Sequence, residues 1–533
     1  MTRRRSSDCE QSAPLLGADA EHGPDRRQRR RPRTLFLPGL SRYLPRLGRW
    51  PLLIAIAALW FFAGVVFSKG PQELLGTTET YLTNPNLDAS VRVRVLNSLL
   101  KERYPQASGE HAARQSNWDS LDRLASCLET HTCSENERKV LLLASFRFGR
   151  SEIGMNSGEE VWARSMISAF RHLNYTILFA WGSMETLLMY QNIPDMVTVV
   201  LWEGAERLRC LHRNETNYLE LDRQERQFST WQTGKHACAQ SEDFPHGIPH
   251  WKSFQFHFWA HTNVALGGRW VLAPEDYDLW RPEKPGHTYI GYSIEKRCDK
   301  FPMFTNREHR ALILAKKVEY FTKEKNLFHG LLGPARDGVT PVFNDMAQPV
   351  NFKLISTAGE AGDPIDEEEG IETVGRKDQG EWTEILARSK ALVGIGDPAL
   401  SPSPYYALCM GVPFINPVKR WDEKDPDNRN KWYTQQDALR YTKEPYVYHV
   451  HANDQDGLRD ALQRAADNPI PRYIPPQMRF EAIVDRVREF VDTDWQAAAR
   501  EVVAEQYNNS PQYQYLAMDE PAEFLRLGPK YVS

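Results

Sequence analysis

The chain has 533 residues, with 66 Lys and Arg against 70 Asp and Glu, for a net charge of −4. That length exceeds one ordinary domain, and the charge is unevenly placed: residues 1–49 hold twelve Arg, no Lys and five acids, net +7, which leaves −11 (−4 minus +7) on the rest. An acidic body of this size argues against nucleic acid or anionic lipid as its main partner.

The Arg-rich leader, 1–49, has no hydrophobic period and reads as a disordered cytoplasmic tail. An uncharged apolar run follows from Pro51 to Ser68. It approaches the roughly 20 residues that cross a bilayer, so 50–68 is expected to be a transmembrane anchor. Arg stays on the cytosolic side, which predicts a single-pass type II protein with its body lumenal. A cleaved signal peptide would carry its apolar core near the N-terminus and end in a small-residue site, whereas Lys69-Gly-Pro-Gln-Glu comes next here. Residues 69–137 are polar and mixed, with helical stretches such as Val91–Leu100, and read as a stem.

From residue 138 the texture changes. Lys139–Ser145 reads as a short buried strand, followed by a loop with Gly149, Gly154 and Gly158 and an amphipathic helix over 159–173. Tyr175–Ala180 and Met196–Trp202 are further apolar runs, and strands alternating with helices indicate a parallel sheet covered on both faces. This defines a first domain, 138–280, whose second half is irregular, aromatic and His-rich. The pattern restarts at Gly286–Glu295 and runs through a second α/β domain, 281–500, which closes with helices over 457–467 and 481–493, before a C-terminal tail, 501–533. Two α/β domains in tandem with a crevice between them are the expected architecture.

Six cysteines lie beyond the anchor, a number suited to disulfides in an oxidising compartment. Cys127 with Cys133 is the easiest pair and Cys210 with Cys238 the second expectation, with Cys298 and Cys409 left as buried thiols. Asn174, Asn214 and Asn508 head glycosylation sequons, and Asn174, abutting a predicted strand, is expected to be used least.

Two segments carry candidate chemistry. In Asn156–Trp162, Ser157 and Glu160 have capping-box spacing, which leaves Glu159 at the head of an apolar stripe on the carboxyl side of a strand. Open α/β sheets bind ligands there, and partial burial is expected to raise the Glu159 pKa towards that of a general base. A first-turn acid facing the helix dipole is the plainer alternative. The second segment, Ala391–Pro417, reads as strand, Gly/Pro/Ser loop, helix, Gly stop, strand. Ser403 suits the N-cap, Pro404 the first turn and Gly411 the left-handed position past the end. Gly394 and Gly396 would admit a ligand, and the helix start favours a diphosphate. Asp276-Tyr-Asp278 has the spacing of a metal-binding DxD but is common by chance, and no metal is expected.

Residues Leu392–Pro417, Pro445–Leu462 and Tyr473–Val484, with weaker likeness at Tyr289–Glu295 and around Gly158-Glu159, resemble glycosyltransferase family 18, the N-acetylglucosaminyltransferase V type. The resemblance implies a GT-B fold, two Rossmann-like domains facing a cleft, in a Golgi membrane protein. It implies transfer of β1,6-linked GlcNAc from UDP-GlcNAc to a mannose of N-glycans, inverting and without a metal or other cofactor. Glu159 would be the catalytic base, and Gly394, Gly396, Ser401, Ser403, Tyr405 and Tyr406 would surround the donor. Animal members carry two glutamates where this chain has Leu400 and Tyr406, so donor identity stays open. The alternatives are a GT-B transferase of another nucleotide sugar, such as GDP-fucose or GDP-mannose, and an inactive membrane-anchored glycan-binding homologue.

Overall fold

The computed structural model describes residues 87–105, 112–211, 238–240, 246–258, 264, 266–277, 286–321, 327–328, 353–359 and 371–509. The expected tail, the anchor, the start of the stem, Asn214, Asp278 and most of the C-terminal tail lie outside them. Among the described residues no helix is long and apolar enough to cross a membrane.

Val140–Ala144 (β1) is buried along its whole length, as a strand covered on both faces must be. It forms the second strand of a parallel sheet with Thr176–Phe179 (β2), Val197–Glu203 (β3), Ser253–Phe256 (β4), Val271–Ala273 (β5) and Thr288–Tyr289 (β6), in the order β2-β1-β3-β4-β5-β6. The chain goes from β1 out to β2, then returns to β3 on the other side of β1. The carboxyl ends of β1 and β3 therefore flank a topological switch point, where open sheets leave a crevice.

A second sheet combines Arg310–Leu314 (β7), Lys353–Ser356 (β8), Ile371–Thr373 (β9), Ala391–Gly394 (β10), Phe414–Arg420 (β11), Tyr433–Thr434 (β12) and Val447–His451 (β13). Its order is β12-β11-β10-β7-β8-β9 with β13 also on β11, and all pairs are parallel except β11 with β12. Here the reversal falls between β7 and β10, so the loop after Gly394 leaves from the second switch point. The α/β class and the parallel sheets are as expected.

Three boundaries differ from the sequence reading. Ala89–Arg103 (α1) and Arg114–Glu129 (α2) lie in the expected stem, yet they bury Val93, Leu96 and Leu100 with Leu121, Leu124 and Ala125. The Asn117 side chain completes the edge of β2, its Nδ2 donating to the Phe179 carbonyl and its Oδ1 accepting from the Phe179 N–H, each at 2.7 Å. A side-chain amide thus takes the place of a further strand. Residues 287–290, assigned by sequence to the second domain, belong to the first sheet, because Tyr289 pairs with Ala273.

Third, the C-terminal helices return to the first sheet. Phe480–Asp492 (α10 in the order given below) repeats apolar residues at Ile483, Val484, Val487, Phe490 and Val491, one helical face. Phe490 and Trp495 pack on Phe254 of β4 at ring separations of 4.9 and 4.7 Å. Besides the four-residue helices Glu135–Arg138 and Glu295–Cys298, the other α-helices among the described residues are Phe146–Glu152 (α3), Gly158–His172 (α4), Ser183–Asn192 (α5), Gly204–Leu211 (α6), Gln379–Ala387 (α7), Ser403–Cys409 (α8), Gln455–Asp467 (α9) and, after α10, Trp495–Asn509 (α11).

Both expected disulfides form, Cys127–Cys133 and Cys210–Cys238. Cys298 and Cys409 are a third disulfide rather than free thiols. Both are buried, and 111 residues separate them, so no local spacing could have paired them. Asn174 is exposed at the turn before β2, with left-handed φ of 61°. Asn508 lies in the last turn of α11.

Candidate active site

At the first switch point, Ser145 follows β1 and Glu203 ends β3, and the Ser145 hydroxyl donates to Glu203 Oε2 at 2.8 Å. Arg147, the second residue of α3, faces three acids. Its Nη1 donates to Glu160 Oε1 at 3.2 Å, Nη2 lies 3.8 Å from Glu159 Oε1, and Nε lies 4.0 Å from Glu203 Oε2. One guanidinium thus balances part of a triple carboxylate charge. Nothing in the local pattern of Phe146–Glu152 marks this Arg, because its partners come from two other elements, α4 and β3.

The two first-turn acids of α4 divide as their exposure requires. Glu160 is 2 % exposed and locked on Arg147, while Glu159 is 24 % exposed and faces outward. Ser157 precedes the helix without capping its backbone. Its hydroxyl instead donates to Glu159 Oε2 at 2.7 Å and contacts Glu160. The capping box predicted from Ser157 and Glu160 therefore does not form, and the buried acid of the pair is Glu160.

Burial pushes the Glu159 carboxyl up, but Arg147, the Ser157 hydroxyl and, more weakly, Lys316 beyond β7 bring it net below its ordinary 4.5. The expectation of a raised pKa is corrected here: Glu159 is held as a carboxylate. That leaves it able to accept a proton, with lower intrinsic basicity than a raised acid would have.

The second switch point carries the Gly394–Ser403 loop. A Cβ on Gly394 would strike the Gln435 side chain and come within 2.7 Å of Pro417. Gln435 Oε1 accepts the Gly396 N–H at 2.9 Å and its Nε2 donates to the Pro398 carbonyl at 3.0 Å. Gly394 therefore makes room for Gln435, which clamps the loop. Leu400 is buried with φ of 55°, a conformation costly for a bulky L-residue, and its N–H donates to the Gln435 carbonyl at 3.1 Å.

Helix α8 begins one residue earlier than expected: Pro402, not Ser403, is its N-cap, and Ser401 Oγ accepts the Ser403 N–H at 3.2 Å. Gly411 takes the left-handed position past the helix, as its sequence predicts. Tyr405 and Tyr406, expected beside the donor, are buried. Tyr405 points to Glu275, and the Tyr406 hydroxyl accepts from Arg297 Nη1 at 3.2 Å. Both rings are buried together with Ala407, Leu408 and Cys409, so this short helix is packed on nearly all sides. Of the expected donor set, Ser401 and Ser403 remain half-buried at the helix start.

The two switch points meet. A Cβ on Gly158, the first residue of α4, would lie 3.5 Å from Pro402 Cδ and 3.4 Å from the Phe258 ring. The starts of α4 and α8 are thus in near contact, with Glu159 beside the loop that ends at Ser403. At Asp276-Tyr277, Tyr277 is buried and donates to the Phe258 carbonyl, so the central residue of the DxD is a core side chain.

Residues 249–512 match the sequence profile of glycosyltransferase family 18. That match covers just under half of the chain. It contains the second sheet, the Gln435 clamp and α8, while Glu159 and Arg147 precede it. The human alpha-1,6-mannosylglycoprotein 6-beta-N-acetylglucosaminyltransferase A is 20% identical over 240 residues, covering 42% of this chain. The human B enzyme is 19% identical over 240 residues. The chain spans about 30% of the length of these curated relatives. Among solved structures, a glycosyltransferase from Rickettsia africae matches with a TM-score of 0.31 at 10% identity, over 69% of this chain and 98% of its own. An alpha-glucosyltransferase in complex with UDP-glucose and DNA matches with a TM-score of 0.34 at 8% identity, over 70% and 98%.

Proposed function

We propose that this protein is a Golgi glycosyltransferase that adds β1,6-linked GlcNAc from UDP-GlcNAc to a mannose of N-glycans, with the two sheets as the halves of a GT-B fold. The observation that carries the reading is the approach of Gly158 to Pro402 in a chain whose second half matches the family 18 profile. The acceptor would lie over the first switch point and the nucleotide sugar over the second. The Arg-rich leader and apolar run support a type II anchor with the catalytic body in the lumen.

The proposed step is an inverting displacement without a metal. The Glu159 carboxylate takes the proton of the acceptor hydroxyl as that oxygen bonds to the anomeric carbon. The bond from that carbon to the diphosphate breaks on the opposite face, and UDP leaves with the electron pair. Ser401, Ser403 and the positive end of α8 would meet the growing diphosphate charge. Arg147 keeps Glu159 ionised, and Ser157 orients its Oε2. Leu400 and Tyr406 are both packed into the protein.

The full-length chain in detergent, titrated calorimetrically with UDP-GlcNAc, UDP and GDP in the presence of EDTA, tests this. Binding of UDP species supports the reading, and preference for GDP moves the donor to a guanosine sugar. A folded protein that binds neither nucleotide favours the glycan-binding alternative, which the burial of Leu400 and Tyr406 supports.

A further inference from the structure

Glu275 lies two residues beyond β5 and is fully buried. Its carboxyl receives the Tyr405 hydroxyl at 3.2 and 3.3 Å and the Gln436 side-chain N–H at 3.0 Å. Gln436 Nε2 also reaches the Tyr405 oxygen at 3.2 Å, which closes a triangle of three buried polar groups. Tyr405 belongs to α8, and Gln436 follows Gln435, the residue that clamps Gly396 and Pro398. A single acid on the first-sheet side thus braces both elements that shape the donor loop.

The groups acting on this acid from the packed elements are phenols and other acids. Tyr405 faces it from α8, Tyr289 and Tyr292 from β6 and the residues after it, Asp437 from the segment beside Gln436, and Asp276 from its own stretch. Arg486 acts on Asp276 and packs over the Tyr289 ring at 4.4 Å. Burial is the largest influence and pushes the Glu275 carboxyl up to about 8. A charged carboxylate here would have two hydrogen-bond donors and no adjacent cation among the groups that act on it.

We infer that Glu275 is a pH-sensitive positioning residue: as the uncharged acid it holds α8 and the Gln435 clamp against the first sheet, and loss of its proton loosens the donor loop. Its consequence for donor affinity rests on the function proposed above, whereas its consequence for the helix does not. Tyr405 and Gln436 touch the acid directly, so the charge appears at the base of α8 without any intermediary.

The test compares the full-length protein with Glu275→Gln, which keeps the shape and an acceptor but cannot ionise. The readouts are the melting midpoint, amide-exchange protection over 396–411 and affinity for UDP, each from about pH 5 to about pH 9. The folded acid holds its proton to a higher pH than the unfolded one. Its stabilising contribution is therefore complete below about 4.5 and is lost as pH rises through about 8. Relative to Glu275→Gln, the wild type should lose melting temperature and 396–411 protection across that window, and its UDP affinity should weaken about tenfold.

Superimposable pH profiles overturn the inference. Should Glu275→Gln not fold, Tyr405→Phe decides, since it removes a hydrogen bond that favours the charged form. The wild-type transition must then move to higher pH, and an unmoved transition overturns the proposal. If the wild type binds no UDP, the transferase reading fails while the melting and exchange profiles still decide the role of Glu275.

Discussion

Arg147 Nη2 stands 3.8 Å from Glu159 Oε1 while its Nη1 is committed to Glu160 at 3.2 Å. The cation is thus bonded to the buried acid and only near the partly exposed one. That geometry leaves Glu159 charged and accessible, the state a proton acceptor requires before its substrate arrives.

Glu159→Gln should remove the acceptor for the proton and leave the fold intact, because the amide can still accept from Ser157. Transfer to N-glycan acceptors is expected to fall by about 10²–10⁴-fold, with UDP affinity changed little. Steady-state rates beside calorimetric titration separate the two, and an unchanged rate would remove Glu159 from the chemistry.

Arg147→Met should raise the Glu159 pKa, since burial then acts with less opposition. The depressed acid contributes stability above its unfolded value and loses it as pH falls through the folded one. In the wild type the acid limb of kcat/KM is therefore expected below the ordinary carboxylate value of 4.5, and Arg147→Met should move it upward. A pH–rate profile of both proteins measures the direction.

Gly394→Ala should drive a methyl group into Gln435 and release its hold on Gly396 and Pro398. Overpacking of this kind costs about 1–3 kcal/mol. Urea unfolding should show that loss, and UDP affinity should fall with it. Gln435→Ala, which removes the clamp without the clash, should reproduce the weaker binding.

Arg114 and Glu185 form a largely buried pair at 3.0 Å between α2 and α5, with side-chain exposures of 11% and 2%. Arg114→Ala leaves a buried acid whose pKa burial already pushes up. The expected loss is about 3–5 kcal/mol by chemical denaturation, and a loss below about 1 kcal/mol would return α1 and α2 to the status of a separable stem.

Replacing Cys298 and Cys409 together by Ser should cost about 2–5 kcal/mol, since the bridge closes a loop across 111 residues. Because Cys409 ends α8, UDP affinity should fall as well. Denaturation and calorimetry of the double variant read both effects.

What the sequence alone determined is local in origin. The apolar runs of β1, β2 and β3, the stripe of α10, the left-handed Gly411 and the Cys127–Cys133 bridge follow from periods, turn chemistry and short spacings within the chain. Glu159 was also legible, as an acid heading a helix after the first strand.

The tertiary structure decided which groups share a surface. It placed α1 and α2 on the first sheet, brought α10 and α11 back to it, and turned Tyr405 and Tyr406 inward. It also gave the space beside Gly394 to Gln435 and set Gln436 against Glu275, 161 residues away in the chain. A hydrogen bond over such a separation leaves no periodic mark, because its geometry exists only after both sheets have formed. Composition can supply the acid and the amide, but burial and approach decide their charge and use.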